Sequence, residues 1–167
     1  MTQRRIVRKV ETGWEGVEPE GYVPGLKTAV VRHTLIGERK TAPSDPGPAL
    51  EVRYFAVPPG RVTRLEKHEH EHFVIVGEGA GIAIVGDQVR EIRQHDVVYV
   101  GPLEPHQFVN RGAETFGFFC IVTAARDVSQ RLSPGEIAQL AAGPAGDYID
   151  PDGAPPPRPA LAARPTR

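Results

Sequence analysis

From Leu50 onward the chain breaks into short runs rich in β-branched and aromatic residues, separated by turn-forming residues: LEVRYFAV, VTRLEKH, HFVIV, GIAIV, QVREI, DVVYV, HQFVN and TFGFFCIVTA. Strand-like runs that follow one another at this pace belong to barrels and sandwiches, so the segment is expected to be all-β. Between Ile84 and Arg90 the pair Gly86–Asp87 reads as a two-residue hairpin turn, with glycine supplying the positive φ of the first central position of a type II′ turn.

The rest of the chain attaches to that segment. Residues 1–48 are expected to pack on the barrel as strands and loops: a strand over Arg5–Glu11, a loop GWEGVEPEGYVPG with Trp14 anchored on the core or on a partner subunit, and a long strand over Leu26–Ile36. The loop GERKTAPSDPGPA that follows is either a lid or a plain connection. Residues 49–125 form the barrel. Residues 126–167 hold one short helix, with Ser133 as N-cap, Pro134 at its first position, Glu136 three after the cap, and Gly143–Pro144 to end it. Beyond it, DYIDPDGAPPPRPALAARPTR is expected to be a mobile tail or one draped over a neighbour.

At 167 residues and 40% apolar content this is one domain with a sizeable core. A formal charge of −1 removes the electrostatic case for nucleic acid or membrane partners, and Arg4, Arg5, Arg8 and Lys9 read as a solvated face. Cys120 is the only cysteine, so no intrachain disulfide exists, and no apolar run has the length of a signal core or a membrane span. A cytoplasmic protein is expected.

The chemistry concentrates between Glu66 and His72, where seven residues hold three histidines and three glutamates. Equal parity aims Glu66 and His68 at one face, and His72 meets them after a reversal. With His106 from GPLEPHQFVN they make a set of imidazoles and a carboxylate suited to one divalent first-row metal ion. Glu66 is either a direct ligand or a partner that orients a ligand histidine. His70 falls at the reversal and is expected to be exposed; a register shifted by one residue would exchange it for Glu66 or His68. His33 and His95 are read as structural.

Arg64 shares parity with Glu66 and His68, which aims it into the barrel toward either an anionic group of a substrate or a barrel carboxylate. Arg53 is a weaker anion candidate whose alternative is surface exposure. Phe116, Phe118, Cys120 and Val122 share one strand face, with Phe119, Ile121 and Thr123 on the other. Cys120 is accordingly either core packing or a cavity-facing nucleophile.

Gly60, Glu66, His68, His72 and Gly79 are spaced as in the first motif of the cupins, and His95, Gly101, Leu103, His106 and Asn110 resemble the second. The resemblance implies the double-stranded β-helix, or jelly-roll barrel. It also implies metal ligation by Glu66, His68, His72 and His106. The chain departs from the pattern where Glu66 and His72 exchange the usual acid and imidazole, and where His95, Gly101 and Leu103 replace glycine, proline and glycine. The phrases GWEGVE, VRYFAVPPG, LEKHEHEH, PHQF and GFFCIV further resemble the small bacterial cupins that include 1-methylthio-D-xylulose 5-phosphate methylsulfurylase. That likeness implies a divalent metal, manganese first and iron, nickel or zinc otherwise, and a phosphorylated small-molecule substrate. Cys120 and Arg64 would be the catalytic residues and glutathione the thiol acceptor. An Fe(II) dioxygenase and a non-catalytic metabolite-binding module are the competing readings. The N-terminal strand and the apolar outer positions of the last strand add the expectation of a homodimer.

Overall fold

The computed structural model describes residues 6–21 and 29–152. A small hairpin of β1 (Lys9–Val10) and β2 (Gly13–Trp14) precedes β3 (Glu20–Gly21), β4 (Val31–Ile36) and β5 (Leu50–Val57). Then follow β6 (Glu66–Lys67), β7 (His72–Glu78), β8 (Ala80–Val85), β9 (Gln88–Arg93), β10 (Val97–Val100), β11 (His106–Val109), β12 (Phe116–Thr123) and β13 (Gln130–Arg131). Two sheets result, in strand order β10-β7-β12-β5-β4-β3 and β13-β6-β11-β8-β9. They enclose a core that draws Val57, Val74, Phe55 and Phe118 from the first and Ala83, Ile92 and Phe108 from the second. This is the all-β architecture expected from the run of short strands and the jelly-roll implied by the cupin resemblance.

Alternation along β12 decides what faces inward. Phe116, Phe118, Cys120 and Val122 are buried, and Phe118 lies 5.4 Å from the Phe55 ring and 4.9 Å from that of Phe108. On the outer side Phe119 and Tyr54 carry Trp14, at ring separations of 5.7 and 5.4 Å, so the N-terminal hairpin is anchored on the barrel. The β8–β9 turn pairs Val85 with Gln88 around Gly86 at φ 57°, the positive angle expected there.

Three regions differ from the sequence reading. VTRLEKH keeps only Glu66–Lys67 as strand, with a single bridge from Val62 to Val109. The loop after Trp14 contributes β3, which pairs Glu20 with Arg32. Residues 148–150, expected in the tail, are fastened to the barrel: Gln107 donates from Nε2 to the carbonyls of Thr63 and Asp150, 2.8 Å each, and accepts from the Asp150 N–H at 2.9 Å. Residues 22–28 of the expected long strand and 153–167 of the tail lie outside the described residues.

The helix α1 (Pro134–Ala141) has its capping box, Ser133 and Glu136 satisfying each other's backbone N–H groups. Leu140, Tyr148 and Ile149 then pack against Val62, Ile82, Ile84 and Val109, which covers the outer side of the second sheet. Among the described residues no helix is long and apolar enough to cross a membrane.

Candidate active site

His68 follows β6, His72 begins β7 and His106 begins β11, so three strand ends converge at one end of the barrel. All three side chains are buried, and their ligand nitrogens lie within 4.8 Å of one another. Nδ1 of His68 is 2.6 Å from the His70 carbonyl, and Nδ1 of His106 is 2.9 Å from that of Glu104. A carbonyl only accepts, so in both rings Nδ1 carries a proton and Nε2 is the nitrogen turned toward the trio. His72 places Nδ1 3.1 Å from Sγ of Cys120, and its Nε2 is buried without a hydrogen-bond partner.

Burial, then the neighbouring His106 and His68, push His72 from an ordinary value of 6.5 down to about 2. Burial also holds His106 low. Neutral imidazoles with lone pairs converging on one point fit a divalent cation, and the orphaned Nε2 is the atom such an ion would satisfy.

The structure places the other expected residues around this trio. Glu66, paired in register with His106, is buried; its Oε2 stands 3.7 Å from Nε of Arg64, and it is not in the group of three. His70 is half-buried rather than exposed. Its ring stacks on that of His68 with centroids 3.6 Å apart, and its Nδ1 is 2.5 Å from Oδ1 of Asp127. Burial lowers the His70 pKa to about 4 against the opposing pull of Asp127. Asp127 also accepts the N–H groups of Glu69 at 2.9 Å and His70 at 3.0 Å. Burial works to raise the Asp127 pKa, but those donors and the His70 ring outweigh it and hold the carboxyl below the usual carboxylate range.

A cavity of about 490 Å³ opens beside the histidines, floored by Phe55, Phe108 and Phe118. Arg64 and Cys120 both line it. Arg53 points inward as well, with Nη2 3.0 Å from Sγ of Cys120 and the guanidinium 5.3 Å from the centre of the Phe55 ring. Burial pushes the Cys120 thiol up, while the Arg53 charge and hydrogen bond pull against it.

Sequence reasoning missed Glu51, Arg126 and Asp127. Glu51 and Arg126 form a buried ion pair at 2.6 Å on the cavity wall. Glu51 shares parity with Arg53, Phe55 and Val57, which was a usable signal; Arg126 and Asp127 follow the last barrel strand in irregular chain, where no periodicity points.

The cupin domain profile matches residues 53–122. The 1-methylthio-D-xylulose 5-phosphate methylsulfurylase of Rhodospirillum rubrum is 37% identical over 134 residues, which are 77% of this chain and 80% of that protein. The chain belongs to the cupin family. Solved cupins agree: a cupin 2 conserved barrel domain protein from Rhodopseudomonas palustris is 33% identical with a TM-score of 0.73, over 86% of this chain and 98% of that one. A cupin 2 domain-containing protein from Halorhodospira halophila is 36% identical with a TM-score of 0.66, over 89% of this chain and 95% of that one.

Chemically, this cupin site joins a metal-binding trio of imidazoles to a thiol that receives two nitrogens at hydrogen-bond distance, in a cavity lined by several arginines.

Proposed function

We propose that this cupin is a metal-dependent thiol-transfer enzyme that takes the methylthio group from 1-methylthio-D-xylulose 5-phosphate, gives it to a thiol such as glutathione, and leaves 1-deoxy-D-xylulose 5-phosphate. The observation that carries the reading is Cys120, whose sulfur lies in the cavity 3.1 Å from Nδ1 of His72 and 3.0 Å from Nη2 of Arg53. Space-filling alone has no use for two nitrogen groups aimed at one sulfur. The similarity to the Rhodospirillum rubrum methylsulfurylase supports the substrate.

The divalent ion held by His68, His72 and His106, manganese first and iron, nickel or zinc otherwise, would supply a Lewis acid for the carbonyl and adjacent hydroxyl oxygens. With Nε2 of His72 given to the ion, its Nδ1 carries the proton and donates to Sγ alongside Arg53, so both groups favour a thiolate against the opposing effect of burial. The Cys120 thiolate attacks the thioether sulfur, forming an S–S bond as the C–S bond breaks with its electron pair on carbon. That carbon takes a proton and becomes the methyl group of the product. A glutathione thiolate then attacks the methylthio sulfur of the mixed disulfide and restores Cys120. Two sulfurs are oxidised to a disulfide, one carbon is reduced, and the thiol proton ends on that carbon.

A reaction that consumes a reduced thiol fits the cytoplasm. The homodimer, expected through the N-terminal strand and the outer positions of the last strand, remains part of this reading; a second exposed apolar strip, Phe73, Val97 and Tyr99 on β7 and β10, is also open to a second copy.

The test is metal-loaded protein with substrate and glutathione, followed by product analysis. Cys120→Ser is expected to keep fold, metal and substrate binding and to lose turnover by orders of magnitude. Wild type without thiol should gain a methylthio adduct in an intact-mass measurement, removed by glutathione. Normal turnover by Cys120→Ser would make the cysteine packing and leave lyase or isomerase chemistry. Oxygen uptake with Fe(II) would favour the dioxygenase, and binding without turnover a metabolite-binding module.

A further inference from the structure

The inward face of β4 carries a cationic and a hydroxyl group that the chemistry at Cys120 does not use. Arg32 and Thr34 alternate on β4, and both line the cavity. Thr34 pairs across the sheet with Arg53, and Arg53 pairs with Cys120, so Thr34, Arg53 and Cys120 form one rung across β4, β5 and β12. Arg32 occupies the next inward position of β4, opposite Phe55. One end of its guanidinium, Nη2, donates to Glu20 on β3, while its Nε is buried and makes no hydrogen bond among the described residues.

We propose that Arg32 and Thr34 bind the phosphate of a sugar phosphate laid across the strands, with its sulfur end at Cys120. The proposal rests on the thiol-transfer reading for the sulfur end only. From β12 to β4 is two strand spacings, about 10 Å. The substrate chain from sulfur to phosphorus, S–C1–C2–C3–C4–C5–O–P, has seven bonds and spans about 8 Å extended, at about 1.2 Å of advance per bond. A sulfur at β12 thus leaves the phosphate within about 2 Å of β4, inside the reach of an arginine side chain on that strand. Arg32 offers the phosphate its unpaired Nε–H while Glu20 occupies only Nη2, and the Thr34 hydroxyl adds a donor one pleat away. Arg53 lies between the two ends and supplies positive potential along the path. Arg64 also lines the cavity, with its Nε 3.7 Å from Glu66 on the other sheet, and is the competing anion ligand that the test includes.

Calorimetric titration with D-xylulose 5-phosphate and with D-xylulose tests this on metal-loaded protein. Wild type is expected to bind the phosphorylated sugar at least tenfold more tightly. Arg32→Gln should lose at least tenfold in affinity for D-xylulose 5-phosphate and none for D-xylulose, and Thr34→Val should lose severalfold in the same selective way. Glu20→Gln, which removes the ion pair but keeps the arginine, should bind the phosphate as well as wild type or better; this separates phosphate contact from a merely structural Arg32. Equal binding of the two sugars by wild type, undiminished binding by Arg32→Gln, or a loss that follows Arg64→Gln instead would overturn the proposal. Cys120→Ser is expected to bind D-xylulose 5-phosphate like wild type. Retained turnover in that variant would remove the thiol-transfer chemistry and leave the phosphate result standing.

Discussion

Leu103 and His95 stand where the cupin pattern has glycine, and both hold positive φ, 60° and 75°. The backbone demands the left-handed region at these turns whatever residue occupies them, because the N–H of Leu103 is committed to the His68 carbonyl at 2.7 Å and that of His95 to the Val76 carbonyl at 2.9 Å. A side chain there costs roughly 1–2 kcal/mol, partly offset because glycine loses about 0.5–1 kcal/mol more entropy on folding. Leu103→Gly is therefore expected to stabilise the protein by about 0.5 kcal/mol, read from urea unfolding. A loss of stability would mean that the half-exposed leucine side chain contributes more packing than its exposure suggests. Gly79 shows the opposite constraint: at φ 67° a Cβ would stand 2.2 Å from the Thr115 carbonyl oxygen, so no side chain is accommodated.

At the scale of elements, the turn between β6 and β7 carries His68 and delivers His72, and Asp127 holds it from the far end of the barrel strand β12. One carboxylate receives two backbone N–H groups and the His70 ring, and that ring lies flat on His68. The exit segment is itself fixed, since Arg126 is paired with Glu51 and Arg39 donates to the carbonyls of Arg126 and Asp127 at 3.2 and 2.9 Å. Groups that orient metal ligands typically carry a 10–100-fold effect on affinity, roughly 1.4–2.7 kcal/mol. Asp127→Ala should weaken Co(II) binding to metal-free protein by about tenfold or more and alter the visible spectrum of the Co(II) form. A dissociation constant and spectrum like those of wild type would show that the turn holds its own shape.

For the whole molecule, packing the His72 and His106 imidazoles into one barrel end ties stability to pH. In the metal-free protein His72 is lowered to about 2, against 6.5 when exposed, so between those values the unfolded chain binds a proton that the folded one refuses. Its contribution is full above pH 6.5 and is lost as the pH falls. Going from pH 7 to pH 5 should cost about 2 kcal/mol from His72, and His106 acts in the same direction. Urea unfolding of metal-free protein at the two pH values checks this, and stability unchanged at pH 5 would place the trio in contact with solvent.

The sequence by itself determined most of the barrel strands, because alternation and turn residues are local: LEVRYFAV became β5 from end to end, and the capping residues Ser133 and Glu136 announced α1. It also determined the histidines that converge, since His68, His72 and His106 carry the family spacing. Only the tertiary structure decided which groups meet them. Arg53 and Cys120 are 67 residues apart in the chain and touch through a strand pairing that neither run specifies alone. Asp127 reaches His70 across 57 residues from a segment without periodicity. Register and packing of distant segments arise from burying the whole apolar surface at once, so the partners of a side chain are a property of the closed barrel, while the faces it can choose between are written in its own strand.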